Sequence, residues 1–327
     1  MSDERAVELS IVVPVFNEQG SLKELCEEIL QAISGKYDSE IIFVDDGSTD
    51  DSPNILTELQ QGDDRVRVIC FRSNFGQTAA LSAGFEHSRG RIIIPLDADG
   101  QNDPGDIPKL MKKLDEGYDI VSGWRRKRHD GALTRKLPSW VANWLIARIT
   151  GVKLHDFGCT LKAYRAESLK EINLYGEMHR FIPVLGSWSG EKVTEIVINH
   201  RPRTTGVTKY GLNRTIKVVL DLITIKFLMS FSTKPIYVFG GLGVLSGLGA
   251  VLSGLVVLYQ KFLSASNLSM NRNPLLVLTA MLITASIQFI LMGLLAELLV
   301  RTYHESQGRK IYMIEKILES KKQENEA

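Results

Sequence analysis

Cysteine is scarce: Cys26, Cys70 and Cys159 are odd in number and widely scattered, which excludes a disulfide framework or zinc-type ligand spacing and fits a reducing compartment. The six histidines, at positions 87, 129, 155, 179, 200 and 304, show no H-x-x-x-H spacing; only His155 stands out, as the neighbour of Asp156. Neither G-x-x-x-x-G-K-S/T nor G-x-G-x-x-G follows the first apolar run, so neither a P-loop ATPase nor a dinucleotide-binding dehydrogenase is indicated. Basic and aromatic residues do not alternate as they do in platforms for single-stranded nucleic acid, and no nucleic-acid partner is expected. Charge is absent from Pro235 to Gln260 and again from Pro274 to Ala296, and each stretch exceeds the roughly 20 residues that span a bilayer. Two transmembrane helices are therefore expected, the alternative being two buried core helices, which seldom lack charge on every face.

The formal net charge of +1 becomes informative once it is placed along the chain. Trp124-Arg-Arg-Lys-Arg-His129 and Arg135-Lys136 form a basic run suited to lipid phosphates. Lys209, Arg214, Lys217, Lys226 and Lys234 precede the first apolar stretch, and Arg301, Arg309 and Lys310 follow the second, whereas the connecting loop carries only Lys261 and Arg272. The positive-inside rule then puts both ends on the cytoplasmic side of the inner membrane. Residues Met1 to Glu8 are too charged for a signal peptide.

The first half of the chain reads as alternating strand, polar loop and helix. Leu9 to Val15 is a short apolar run, followed by a capping box (Ser21, Glu24) and by Leu22, Leu25, Ile29 and Ile33 at helical spacing. Glu40 to Val44 is a second strand, and Ser52 with Pro53 caps and opens the next helix. Val66 to Phe71 is a strand, Thr78 to His87 a helix, and Ile92 to Leu96 a strand running into Asp97. Such alternation implies right-handed crossovers and a mostly parallel α/β sheet, whose ligands bind beyond the carboxyl ends of the strands. Asn17, Asp46, Asn74 and Asp97 each fall just past one of these strands, so four distant loops converge on one edge.

The run Asp97-Ala-Asp99-Gly-Gln101 carries the most chemistry. Two carboxylates one residue apart, with an amide after them, supply hard oxygen ligands suited to Mg²⁺ or Mn²⁺ bearing a substrate diphosphate. Further on, Ile107 to Leu114 reads as a helix and Asp119 to Gly123 as a strand. Pro138 to Thr150 places Trp140, Val141, Trp144, Leu145 and Ile149 on one side, for packing against the sheet or for lying in a membrane plane. Leu212 to Phe231 has a polar stripe opposite an apolar face and suits the cytoplasmic membrane interface.

Taken in order, Val13-Pro-Val-Phe-Asn17-Glu18, Val44-Asp-Asp46-Gly-Ser-Thr-Asp50, Asn74-x-Gly76-Gln77, Asp97-Ala-Asp99-x-Gln101, Asp156-Phe-Gly-Cys-x-Leu-x-Ala-Tyr-Arg165 and Arg203-x-x-Gly206-x-Thr208-Lys209-Tyr210 resemble family 2 glycosyltransferases. Within that family the chain is most similar to the polyisoprenyl-phosphate glycosyltransferases, the group of dolichol-phosphate mannose synthase and bactoprenol glucosyltransferases, over nearly its whole length. The resemblance implies a GT-A catalytic domain and inverting, metal-dependent transfer of a sugar from a nucleotide sugar to a polyprenyl phosphate. UDP-glucose is the expected donor, with GDP-mannose or another UDP-sugar as alternative. It also implies that Pro14, Asn17, Glu18, Asp46, Asn74 and Gln77 frame the nucleotide, and that Asp97 sits between ribose and metal. Asp99 and Gln101 would hold the metal, and Asp156 would face the acceptor as a second catalytic residue beside Asp99. Arg125, Arg126 and Arg128, with Arg203 and Lys209, would hold the lipid phosphate. Two departures stand out. Gly100 replaces the usual Leu and removes an apolar anchor from the metal loop, and Thr208 replaces Ser while keeping a hydroxyl.

The expected organisation is a cytoplasmic GT-A domain over 1–210, an amphipathic juxtamembrane helix over 211–234, a transmembrane hairpin over 235–300 and a cytoplasmic tail over 301–327, with a homo-oligomer compatible. Rival readings are a processive polysaccharide synthase, a non-catalytic nucleotide-sugar-binding protein and a two-span transporter. The first lacks further spans and a Q-x-x-R-W motif, and the last lacks ionisable residues within the spans.

Overall fold

A computed structural model describes residues 7–126, 143–170, 178–202, 222, 235–262 and 273–307. The chain divides into two compact units, Met1–Lys226 and Phe227–Ala327.

The first unit is built on a seven-stranded sheet: β1 (Leu9–Val15), β2 (Ser39–Asp45), β3 (Val66–Cys70), β4 (Ile92–Pro95), β5 (Ile120–Trp124), β6 (Lys162–Arg165) and β7 (Val193–Val197), in the order β3-β2-β1-β4-β6-β5-β7. Pairing is parallel for β1 with β2 and β4, β2 with β3, and β5 with β7; β6 runs antiparallel to both β4 and β5. The mostly parallel sheet is thus present, but β6 and β7 leave no apolar run strong enough to mark them. Lys162 interrupts β6, and β7 is only half-buried apart from its exposed end.

Alternation along β1 explains why its run is apolar throughout. Ile11, Val13 and Val15 join one core with α1 (Leu22–Ile33), α2 (Ser52–Gly62) and α4 (Ile107–Asp115), while Val12 joins a second core with α3 (Gln77–Glu86), Tyr164 and Ile182. On α1, Leu22, Leu25, Cys26, Ile29 and Ile33 are buried, following the 3.6-residue period. Truncating Ile29 there would cost about 2–5 kcal/mol in transfer and cavity terms.

Both expected helix caps are corrected. Ser21 occupies the cap position of α1 but makes no side-chain cap bond, so the Ser21 and Glu24 box does not form. Its hydroxyl donates instead to the Ala98 carbonyl at 2.6 Å. Ser52 is the first residue of α2 rather than its cap, and its Oγ accepts from Glu18 N at 3.2 Å. In each case a neighbouring strand's loop offers a partner that the local sequence does not reveal.

Of the stretch 138–150, residues 143–150 are described and helical. Trp144 is exposed and the buried residue is Ile146, so the face that carries Trp144 is not packed as core. The amphipathic stretch 212–231 lies outside the described residues except for Leu222.

The second unit holds two long helices, Ile236–Phe262 and Pro274–Gln307. The spans 236–262 and 274–299 have mean hydropathy 2.1 and 2.3, long and apolar enough to cross a membrane. They pack on each other through small and hydroxylated residues. Ser286 Oγ donates to the Gly243 carbonyl at 2.7 Å, Ser253 and Thr279 hydroxyls meet at 2.9 Å, and a Cβ at Gly243 would stand 2.7 Å from Ile290 Cγ1. Leu245, Leu252, Val277 and Leu291 are exposed, which excludes the alternative of two buried core helices.

Candidate active site at the switch point of the sheet

Strand order reverses between β1 and β4, and there the loops after the two strands part to leave a crevice. A cavity of about 200 Å³ opens at this point, lined by Pro14, Glu18, Asp46, Asn74, Gln77, Asp97 and Asp99 together with Val15, Phe16, Gly76, Ala80 and Ala98. The loops after β1, β2, β3 and β4 all contribute, so the expected convergence is realised by the crossovers.

Asn17 is not among the lining residues. It holds a left-handed backbone (φ 54°), its Oδ1 accepts from Thr49 N at 2.7 Å, and its own N donates to Ser48 Oγ at 3.0 Å. The side chain placed at the nucleotide by sequence thus ties the β1 loop to the β2 loop. Asp46 has a comparable role while lining the cavity. Its buried carboxylate accepts from Phe75 N at 2.7 Å and Gly76 N at 2.9 Å, fixing the loop after β3. Gly47 permits this approach, since a Cβ there would fall 2.6 Å from the Ser73 carbonyl carbon and its φ is +69°.

Asp97 stands at the centre of a polar cluster. Gln77 Nε2 donates to its Oδ1 at 2.8 Å. Withdrawal from water pushes its carboxyl above the ordinary carboxylate range, opposed by the Thr160 hydroxyl and by the charges of Arg125, Lys162 and Arg180. Lys162 is buried, donates to the carbonyls of Cys159 at 2.5 Å and Phe157 at 3.2 Å, and is brought down to about 8 by burial. His179 is buried against Thr78 and lowered to about 3, again by burial first. Of these residues the sequence motifs single out Gln77 and Arg125, but not Thr160, Lys162, Arg180 or His179. Thr160 and Lys162 are the unspecified positions of the Asp156 to Arg165 motif, and a lone lysine between Leu161 and Ala163 was the available signal.

Asp99 accepts from Gln101 N at 3.2 Å, but Gln101 does not line the cavity. The loop is anchored without an apolar residue at position 100. Ser21 holds Ala98, Arg201 N donates to Gln101 O at 2.9 Å, Asn102 bridges to His200, and Arg201 Nη2 meets Asp103 Oδ1 at 2.9 Å. Among the described residues no group of three or more His, Cys, Asp or Glu side chains forms a metal cluster. Asp97 and Asp99 offer two carboxylates from one loop, chemistry that suits a hard divalent cation if a substrate diphosphate and water were to complete its ligands.

Asp156 lies apart from the lining residues and is buried. Arg125 Nε and Nη2 donate to its Oδ2 and Oδ1 at 2.8 and 3.1 Å, so the expected phosphate-binding arginine and the expected catalytic acid pair with each other. Arg126 is exposed, 5.9 Å over the Trp124 ring. His155 stacks on Trp124 at 4.1 Å and its Nδ1 meets Glu195 Oε1. Arg128, Arg203 and Lys209 lie outside the described residues.

Comparison with known proteins agrees with this arrangement. Residues 10–173 match the glycosyl transferase family 2 model. The dodecaprenyl-phosphate galacturonate synthase of Rhizobium johnstonii is 42% identical, covering 98% of this chain and 95% of that protein. The undecaprenyl-phosphate 4-deoxy-4-formamido-L-arabinose transferase of Shewanella sediminis is 38% identical, covering 95% and 92%. Among solved structures, the Mycobacterium tuberculosis glucosyl-3-phosphoglycerate synthase crystallised with Mn²⁺, UDP and phosphoglyceric acid superposes with a TM-score of 0.55 at 18% identity, over 68% of this chain and 78% of that one. That likeness shows the fold, GT-A. With a family match across half its length and relatives aligned almost end to end, the chain belongs to glycosyl transferase family 2 and is a glycosyltransferase.

Proposed function

We propose that the protein transfers a sugar from a nucleotide sugar to a polyprenyl phosphate at a membrane surface, with inversion at the anomeric carbon. The observation that carries this reading is the conjunction, in one chain, of a carboxylate-lined crevice at the sheet's switch point and two helices long enough to span a bilayer. The relatives aligned over both units bear names that specify dodecaprenyl and undecaprenyl phosphate as acceptors.

In this reading Pro14, Glu18, Asp46, Asn74 and Gln77 frame the nucleotide. Asn17 and Asp46 act by fixing loops, and Asp97 faces ribose and diphosphate. A bound Mg²⁺ or Mn²⁺, held by Asp99 with Asp97 and Gln101 nearby, would neutralise charge developing on the leaving diphosphate. A phosphate oxygen of the acceptor attacks the anomeric carbon as the bond to the diphosphate breaks, and the nucleoside diphosphate departs with the electron pair. A phosphate monoester, with a second pKa of about 6, is largely dianionic at neutral pH, so no strong general base is required. Asp156 then serves by holding Arg125 beside the site. Arg126, Arg128, Arg203 and Lys209 offset repulsion between acceptor and donor phosphates, and both chain ends lie on the cytoplasmic side.

Glucose, expected from sequence, and galacturonate, the sugar in the name of the 42%-identical relative, are the donors to compare first as UDP-linked forms. Purified full-length protein in detergent would be given each radiolabelled donor with undecaprenyl phosphate and MnCl₂. Label passing into the lipid extract supports the reading, and its sugar dependence identifies the donor. No lipid-linked label from any of the UDP-sugars or GDP-mannose would refute it.

A further inference from the structure

His179, which the motifs leave out, directly precedes Arg180, whose charge acts on Asp97. It sits in the buried turn Met178–Phe181, and its Nδ1 shares a 2.7 Å hydrogen bond with the hydroxyl of Thr78, which is 101 residues away in sequence. Thr78 is the second residue of α3. The first is Gln77, whose amide donates to Asp97 at 2.8 Å.

α3 is entered from a loop that Asp46 holds at Phe75 N and Gly76 N, at 2.7 and 2.9 Å. Its cap is Gly76, at φ 95°, with no side-chain cap bond. α3 buries Thr78, Ala80, Leu81 and Gly84, and the half-buried Phe85 packs edge-on against Tyr164 with ring centroids 6.1 Å apart, so the large apolar anchors of the helix lie past its first turn. The hydrogen bond at Thr78 therefore adds a side-chain restraint to a first turn that no large apolar side chain anchors. Burial, together with Arg180 and Lys162, lowers His179 to about 3, which removes it from proton transfer at physiological pH.

We infer that His179 is a positioning residue of the donor site: through Thr78 it fixes the first turn of α3, so that Gln77 holds the Asp97 carboxylate in a single orientation toward the nucleotide. The inference rests on the reading of Asp97 as a donor-site residue. Arg180, next in the same turn, acts on Asp97 through its charge, so one short segment bears on the aspartate both through α3 and by field.

The test is UDP binding by calorimetry, with Mn²⁺ present, on the full chain in detergent, alongside transfer kinetics. His179→Ala and Thr78→Val should each weaken UDP binding about 10-fold, as losses of orienting partners do. Because both remove one link, the double variant should be no weaker than either single one. His179→Asn places an amide atom where Nδ1 stood and should restore affinity to within about 3-fold of wild type. Rescue by Asn also keeps the idea testable if His179→Ala fails to fold. Wild-type affinity and kcat in His179→Ala, no rescue by Asn, or additive losses in the double variant would each overturn the positioning role. Wild-type protein that binds no UDP would instead overturn the donor-site reading, and this inference with it.

Discussion

Arg125 and Asp156 face each other in a two-pronged ion pair, Nε to Oδ2 at 2.8 Å and Nη2 to Oδ1 at 3.1 Å, with the aspartate side chain 2% exposed. Gly158 N adds a third hydrogen bond to the carboxylate at 3.1 Å. The pair raises the guanidinium above its ordinary value against the opposing effect of burial, so the charge beside Asp97 is permanent.

Removing one partner of a buried pair leaves the other uncompensated. Asp156→Ala is expected to destabilise the first unit by about 3–5 kcal/mol, whereas Asp156→Asn keeps a hydrogen-bond acceptor and should cost less. In transfer assays Asp156→Asn should lose less than the roughly 10²- to 10⁴-fold typical of a missing general base. Urea denaturation and kinetics on both variants check this, and a wild-type midpoint for Asp156→Ala would show that the pair is dispensable to the fold.

Asp99 lines the cavity and Gln101 does not, so the two expected metal ligands should respond unequally. Asp99→Asn should lower transfer by at least about 10²-fold, the scale of removing one charge-stabilising group, and Gln101→Ala should cost less. EDTA should abolish transfer and Mn²⁺ restore it. Undiminished turnover in EDTA would assign the Asp97 to Gln101 loop a structural role.

Gly47 holds a left-handed conformation with the Ser73 backbone against it. Gly47→Ala should therefore cost about 1–3 kcal/mol in strain and displace the loop after β3. A lower melting temperature together with weaker UDP binding is the expected pair of readouts. Weaker binding alone would mean that the loop shifts without strain in the fold.

His179 falls from 6.5 to about 3 on folding, so between these values the unfolded chain binds more protons than the folded one. Stability contributed by the neutral ring is fully present above about pH 6.5 and is lost as pH falls toward 3. The difference is on the order of 5 kcal/mol across that window. Denaturation of wild type and His179→Asn at several pH values isolates it from the carboxylates, which titrate in both. Parallel stability profiles for the two proteins would show that His179 is not the source.

Strands β1 to β4, helices α1 to α4 and the two long apolar helices are legible from the chain alone, because each depends on a period or an absence of charge within one short window. So is the convergence of polar loops, since right-handed crossovers put successive strand ends on one edge. The partners of the side chains are not legible. Ser21 reads as a cap and instead binds Ala98, 77 positions away; Arg125 is expected at the lipid phosphate, and its partner Asp156, 31 positions away, is not marked by the local sequence. Antiparallel β6, inserted between β4 and β5, brings Thr160 and Lys162 toward Asp97 although no periodicity marks the strand. Local preference sets which segments become strand or helix, but hydrogen-bond partners are chosen by sheet order and packing, and those exist only once distant segments have met.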